Sequence, residues 1–373
     1  MESKNIAIAG EITPSKTIIP IIQKLREYEK EEKLSFKINK IIGLYHGESS
    51  KDFLKPYCDE VHSIGEGRRG KKNSKGKLAY LISKDILKSF NALKGKGIDL
   101  LITAGNAGDV RKAIVAANVL RIPILHIEQD IYNPIEVISQ ANLVTVPTEE
   151  YKEYLEKNYG LQNVVNINGY PMAKYVDNHI KEGNLIDKDE IYGEYGMKEF
   201  VLVVLGGDLK DEDIEPLIRS VEELNLKALI APYRFDRNIV QDLVLSPNIK
   251  VLPQYVDLLS FMDAASHLIY AAGMGMTIEA GVFNIPSLKI EGFHKTHGSV
   301  DLAKSLNIPI VKIEEIPKAF ENLEEQKSTD LVKNSEIAIE KVVDLINEFD
   351  DMDLDKSGLK STKKIWDSRK VFR

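Results

Sequence analysis

The chain has little of what would tie it to a membrane, an oxidising compartment or a nucleic acid. It holds one cysteine, Cys58, so no internal disulfide can form and a reducing, cytoplasmic setting is expected. No apolar run approaches the ~20 residues that span a bilayer. The opening MESKNIAIAG lacks the basic-then-apolar order of a secretion signal. Positive charge is not in excess either. A formal net charge of −7 gives nucleic acid no general attraction, so no nucleic-acid partner is expected and any anionic partner needs a local patch. Internal repeats and low-complexity tracts are absent. What remains, 43% apolar and 29% charged over 373 residues, suits a globular protein long enough for two cores.

Short β-rich runs alternate with helical patterns. NIAIAG precedes SKTIIPIIQKLREYEKEE, in which Ile18, Ile19, Ile22, Leu25 and Tyr28 recur at helical spacing. KINKIIGLYHG, DLLITAG, IPILHIE and ANLVTVPT follow as strands with helical segments between them. This order predicts a parallel sheet with crossover helices. Residues 173–198 are polar, charged and glycine-dotted, as a linker would be. A second alternation then runs from EFVLVVLGGD to IPIVKIEE. The expected organisation is an α/β chain of two doubly wound domains, residues 1–172 and 199–345, with a helical tail, 346–373, that returns to the first. In such sheets ligands lie beyond the carboxyl ends of the strands, and between two such domains the natural site is the cleft.

The stretch AAGMGMTIEAGVFNIP carries the clearest chemistry. Gly273 and Gly275 leave the backbone bare before a helix, and the amides at a helix start attract phosphate. Met274, Met276 and Thr277 complete that turn. Glu279, read as lying in the first turn, is suited to accept two hydroxyls such as those of a ribose. Tight turn geometry with a dipole-favourable acid accounts for the same residues without a ligand. Two further loops of the second domain converge on the same edge: Gly206, Gly207 and Asp208 after one strand, and His294, Lys295 and His297 after another.

In the first domain the loop AGEITPS offers Gly10 and a single titratable group, Glu11. AGNAGD supplies Asn106 and Asp109, and HIEQD supplies His126, Glu128 and Asp130. Alternate strand positions put the last three on one face, but further zinc ligands are not evident, and neither metal nor cofactor is expected. Arg68, Arg69, Lys71, Lys72, Lys75 and Lys77 cluster before Leu78, Tyr80, Leu81 and Ile82. Such a basic amphipathic segment fits an anionic membrane surface, or simply a solvated loop before a core helix.

Taken together, these segments resemble the MurG-type UDP-N-acetylglucosamine transferases of cell-wall lipid synthesis, whose two Rossmann-like domains form the glycosyltransferase B (GT-B) fold. IPILHIEQDIYN is similar to that family's strand and histidine–glutamate tip, INGYP to its turn before the linker, and VVLGGD to its second glycine loop. GMGMTIEAGVFNIP keeps the family spacing from glycine to ribose-binding glutamate to proline, which gives Glu279 that role. The resemblance implies inverting transfer of a sugar from a UDP-sugar to a lipid-linked acceptor at the inner face of the cell membrane. The helix start would hold the departing diphosphate, with Glu11 as the base and Asp109 and Glu128 as further catalytic candidates. Three departures stand out: AGEITPS lacks the glycine run and histidine, Asp208 replaces a serine, and Gly298 and Ser299 replace two glutamines. GEITPSKTIIPII, HIEQD and PTEEYKEYL are also similar to segments of the non-hydrolysing UDP-N-acetylglucosamine 2-epimerases. That family's first-loop arginine, its aspartate at the position of Asn106, its histidine-arginine motif and its serine-glycine-glycine loop are missing. An isomerase of that kind, or a nucleotide-sugar-binding protein without catalysis, is the alternative.

Overall fold

The computed structural model describes residues 2–65, 75–106, 108–130, 132, 134–292, 296–323 and 330–369. The chain forms two compact units: Met1–Tyr175 with Lys333–Arg373, and Val176–Val332.

The first unit is built on strands β1 (Glu2–Ala9), β2 (Phe36–His46), β3 (Glu60–Gly65), β4 (Ile98–Ala104), β5 (Ile124–Ile127), β6 (Leu143–Val146) and β7 (Val164–Asn166). They pair in the order β3-β2-β1-β4-β5-β6-β7, every pair parallel. A helix crosses back between strands, so both faces are covered and the strands read as continuous apolar runs. The two-residue period of β1 sorts its side chains between the layers. Ile6 and Ile8 pack with Ile18, Ile21, Ile22 and Leu25 of the helix Ile12–Lys30. Ala7 and Ala9 share the opposite core with Val110, Ala113 and Ile114 of the helix Gly108–Val119. Two alanines on that face let the second helix lie close to the sheet, which brings Asp109 and Lys112 near its carboxyl edge.

The second unit holds β8 (Val201–Val204), β9 (Ala228–Ala231), β10 (Ile249–Val251), β11 (His267–Tyr270), β12 (Ser287–Ile290) and β13 (Ile310–Val311), in the order β10-β9-β8-β11-β12-β13. These pairs too are all parallel. Each sheet thus reverses direction at one place, between β1 and β4 and between β8 and β11, where the outgoing loops diverge and leave room for a ligand. The fold class is the expected one.

The boundaries differ from the expectation. Residues 173–198 contain two helices, Met172–Lys181 and Lys188–Tyr195, rather than open linker. The second unit ends at Val332 instead of 345. The reason is the helix Leu331–Asn347, which buries Ala338, Ile339, Val342, Val343 and Ile346 in the first unit's core, each valine or isoleucine being worth about 1.5–3 kcal/mol. The helix Gly358–Arg369 adds Ile365 to the other layer of that unit. Among the described residues no helix is long and apolar enough to cross a membrane.

Candidate functional site

In the second unit, β11 ends and the helix Met274–Phe283 begins at Gly273, its N-cap, with no side chain capping the exposed amides. The first amides of a helix have no partner within it, and no side-chain cap takes them up at the N-cap Gly273 beside the sheet switch. Gly206 is required here by packing. A Cβ on it would run into the carbonyl of Ala271, so only glycine lets the β8 and β11 loops pass this close. Gly207, by contrast, has open space around it.

Thr277 is buried, and its hydroxyl is already engaged: it accepts from Tyr270 OH at 3.1 Å and donates to Gly273 O at 3.3 Å. It braces the turn. Met274 and Met276 are buried as well, and Gly275 is half-buried. Glu279 corrects the expectation of a first-turn acid. The first turn contains no acidic residue, and Glu279 is the sixth residue of the helix, 5% exposed. A carboxylate placed one turn further in gains little from the helix dipole, so the dipole does not account for it.

His297 is the N-cap of the helix Gly298–Ser305, and its Nδ1 accepts the Ser299 amide hydrogen at 3.0 Å. An amide can only donate, so the neutral ring carries its own hydrogen on Nε2. That edge of the ring faces Gly273, with Cε1 at 3.5 Å and Nε2 at 4.0 Å from where a Cβ would stand. The β11 and β12 loops therefore meet. His294 and Lys295 lie outside the described residues.

Sequence reasoning missed Lys289. It is 2% exposed on β12, with Nζ donating to Ala272 O at 2.5 Å and lying 3.6 Å from Asp208 Oδ2. Burial lowers its pKa, while Asp208 acts the other way and favours the charged form. The Asp208 carboxylate, which stands where the transferases carry a serine, therefore faces a buried cation. Its only signal in the sequence is a lysine inside the apolar run SLKI.

In the first unit, β1 is followed by Gly10, where a Cβ would lie 2.6 Å from that of Pro14, and Glu11 is the N-cap of the helix Ile12–Lys30. Glu11 caps nothing with its side chain. Instead Oε1 lies 3.3 Å from His46 Nδ1, at the end of β2. His46 Nε2 is 3.0 Å from Lys112 Nζ, which also donates to Asp85 Oδ2 at 2.5 Å. Asp109, in the first turn of the helix Gly108–Val119, is 0% exposed, and neither carboxylate oxygen has a hydrogen-bond partner among the described residues. Burial first, and then the charge of Glu11, push its pKa up to about 6. The amides of Val110 and Asp109 and the nearby His46 offset this only in part, the amides lying close without reaching hydrogen-bond geometry. A buried acid tuned toward neutrality beside a second carboxylate suits proton transfer. Asn106 is half-buried on the same loop.

His126 and Glu128 are placed differently from the expectation of an open ligand edge. His126 is 0% exposed, with Nδ1 2.8 Å from Thr103 Oγ1 and Nε2 3.4 Å from Glu128 Oε2. Glu128 Oε1 accepts the amides of Gln129 at 2.9 Å and Asp130 at 3.0 Å. β5 ends at Ile127, so Glu128 lies just beyond the strand, where its side chain meets that of His126. Among the described residues no three metal-binding side chains are grouped to hold an ion. His46, Asp85 and Lys112 were not anticipated. A histidine closing the strand GLYH was visible, whereas nothing local marks Asp85 or Lys112 on their helices. Of the basic segment, residues 68–72 lie outside the described residues.

Two Rossmann-like units with these strand orders match the GT-B fold. No protein-family model and no curated protein matches the chain. Solved structures do. The UDP-GlcNAc 2-epimerase from Methanocaldococcus jannaschii, in complex with UDP-GlcNAc and UDP, aligns with a TM-score of 0.69 at 15% identity over 92% of this chain and 99% of that one. The UDP-GlcNAc 2-epimerase from Neisseria meningitidis, bound to UDP-GlcNAc, gives 0.70 at 16% over 91% and 100%. A UDP-glucosyltransferase from Polygonum tinctorium gives 0.56 at 12% over 99% and 98%. At these identities the likeness is one of fold. It supports GT-B architecture and adds nothing for the MurG-type enzymes in particular.

Proposed function

We propose that the chain is a nucleotide-sugar enzyme whose second unit binds UDP and whose first unit moves a proton on the attached N-acetylhexosamine, an isomerase of the 2-epimerase type. The observation that carries this is Asp109. A carbon bearing hydrogen is inverted only if its proton leaves from one face and returns on the other, which requires two groups able to take and return a proton. Asp109, buried, with no hydrogen-bond partner for its carboxylate among the described residues and raised to about 6, is one such group, and the carboxylate of Glu11 beside it is positioned as the other. Asp109 follows Asn106, the position at which the epimerases carry an aspartate, by three residues. End-to-end likeness of fold to 2-epimerases, closer than to the glucosyltransferase, points the same way. In the second unit, the amides at the start of the helix Met274–Phe283 would hold the diphosphate and Glu279 the ribose.

The test is an NMR time course with UDP-N-acetylglucosamine in D₂O. The reading expects the manno epimer to appear with deuterium at C2, because a proton removed from C2 is replaced from solvent. No epimer and no deuterium would reject it. A second reading, inverting transfer to a lipid-linked acceptor of a cell-wall polymer, is favoured by the spacing from Gly273 through Glu279 to Pro286 and by the missing serine-glycine-glycine loop. There Glu11 would take the acceptor proton, and the basic segment at 68–77 would rest on the anionic inner face of the membrane. Release of UDP that depends on an added lipid-linked acceptor, without deuterium uptake, would select transfer over epimerisation. Binding of UDP with neither reaction would leave a nucleotide-sugar-binding protein.

A further inference from the structure

We infer that His46 is the positioning residue of Glu11, that Lys112 fixes the tautomer in which it acts, and that Asp85 fixes Lys112. The role given to Glu11 rests on the proposed function; the tautomer does not. An ammonium has three hydrogens and no acceptor. At 3.0 Å from His46 Nε2, Lys112 therefore donates, and that ring nitrogen presents its lone pair. A neutral ring then carries its hydrogen on Nδ1, which is 3.3 Å from Glu11 Oε1 and donates to it.

The groups around His46 leave little freedom. Glu11 faces it from the start of the helix Ile12–Lys30, Asp85 from the helix Lys75–Leu93, and Lys112 and Asp109 from the helix Gly108–Val119. Asp85 lies 3.7 Å from Nε2, too far for a hydrogen bond, and takes the Lys112 ammonium at 2.5 Å instead. Its negative charge thereby balances the lysine. A hydrogen on Nε2 would point straight at that ammonium, so the contact leaves this nitrogen bare and keeps the ring's hydrogen on Nδ1, where it orients the Glu11 carboxylate.

Exposure follows the same direction. The side chains of His46, Lys112 and Asp85 are 6%, 10% and 13% exposed, whereas that of Glu11 is 35% exposed. The chain of contacts is buried at one end and opens at the carboxylate. Gly65 keeps the space: a Cβ there would stand 2.6 Å from the His46 ring and 2.7 Å from Asp85 Oδ2.

Imidazole ¹⁵N NMR on the full chain tests the tautomer whatever the reaction turns out to be. The His46 signal, assigned by its loss in His46→Asn, is expected to show a protonated Nδ1 and an unprotonated Nε2, and Lys112→Met is expected to abolish that preference. An Nε2–H tautomer in the wild type, or no change in Lys112→Met, would overturn the inference. Turnover of UDP-N-acetylglucosamine tests the positioning. His46→Phe is expected to lower kcat about 10- to 100-fold with KM little changed. His46→Asn, whose amide N–H stands near the place of Nδ1, is expected to recover most of the loss, and His46→Gln much less. Equal kcat in Phe and wild type, or Asn no better than Phe, would remove the positioning role. If the wild type does not turn over, the proposed function fails, while the NMR measurement still decides the tautomer.

Discussion

Lys289 Nζ lies 3.6 Å from Asp208 Oδ2, so the loop after β8 is tied to β12 by a buried ion pair next to the bare helix start. Alone, Asp208 would repel a diphosphate there. With Lys289 beside it the local charge cancels, and the helix amides are left to attract the anion. Lys289→Met is therefore expected to weaken UDP binding by about 1.5–3 kcal/mol, the scale of an interaction with a charged group. Adding Asp208→Asn should restore part of the loss, because the uncompensated carboxylate is then gone. Calorimetry with UDP decides it. Unchanged affinity in Lys289→Met would separate the ion pair from the binding site.

Glu279 gives a sharper test of where a ribose sits. If its carboxylate accepts the ribose hydroxyls, Glu279→Ala weakens UDP by about 1.5–3 kcal/mol. The same variant should lose much less with 2′-deoxy-UDP, which lacks one of the two hydroxyls. An equal loss for both nucleotides would mean that the substitution disturbs the helix Met274–Phe283, in which Glu279 is buried, and not a ribose contact.

Glycines at the switch carry a purely steric expectation. Gly206→Ala forces a Cβ into the carbonyl of Ala271, a backbone atom that cannot rotate away. Overpacking of this kind costs about 1–3 kcal/mol. Hydrogen exchange should show β8 and β11 of the variant opening more readily than in the wild type. Fluorescence of Trp366, which belongs to the other unit, should report little change in that unit's unfolding. Unaltered exchange in β8 and β11 would mean that the two loops part at little cost.

The alternation of apolar strands and helices made both sheets legible in the sequence, and the loops after β1, β4, β8 and β11 were found because strand ends are easily marked by glycine. Position along a helix was harder to read. Glu279 fell one turn deeper than expected because nothing in GMGMTIEAG distinguishes Gly273 as N-cap from Gly275. The cluster around Glu11 was only half visible for a different reason. Glu11, His46, Asp85 and Lys112 come from four separate elements, and only the parallel order β3-β2-β1-β4 brings them together. Lys289 and Lys112 sit in apolar surroundings that usually exclude lysine, and their partners are distant in sequence.

The burial of Asp109 has a consequence for stability that needs no substrate. Its pKa is raised from 3.8 to about 6, first by burial and then by Glu11, so between these values the folded state holds a proton that the unfolded chain has lost. Where the folded state binds more protons, stability falls as pH rises. The contribution is thus fully present below about pH 4 and is lost as pH climbs through 6. A gap of roughly two units corresponds to about 3 kcal/mol. Asparagine cannot ionise, so Asp109→Asn escapes this loss, while any cost of burying its amide is the same at every pH. Urea unfolding followed by Trp366 fluorescence, which reports the unit containing Asp109, should therefore show the variant gaining on the wild type from pH 4 to pH 7. The expected gain approaches 3 kcal/mol and levels off above pH 7. A difference that stays constant across this range would mean that the Asp109 carboxyl ionises in the folded state as readily as in the unfolded one, and its part in proton transfer would lose its physical basis.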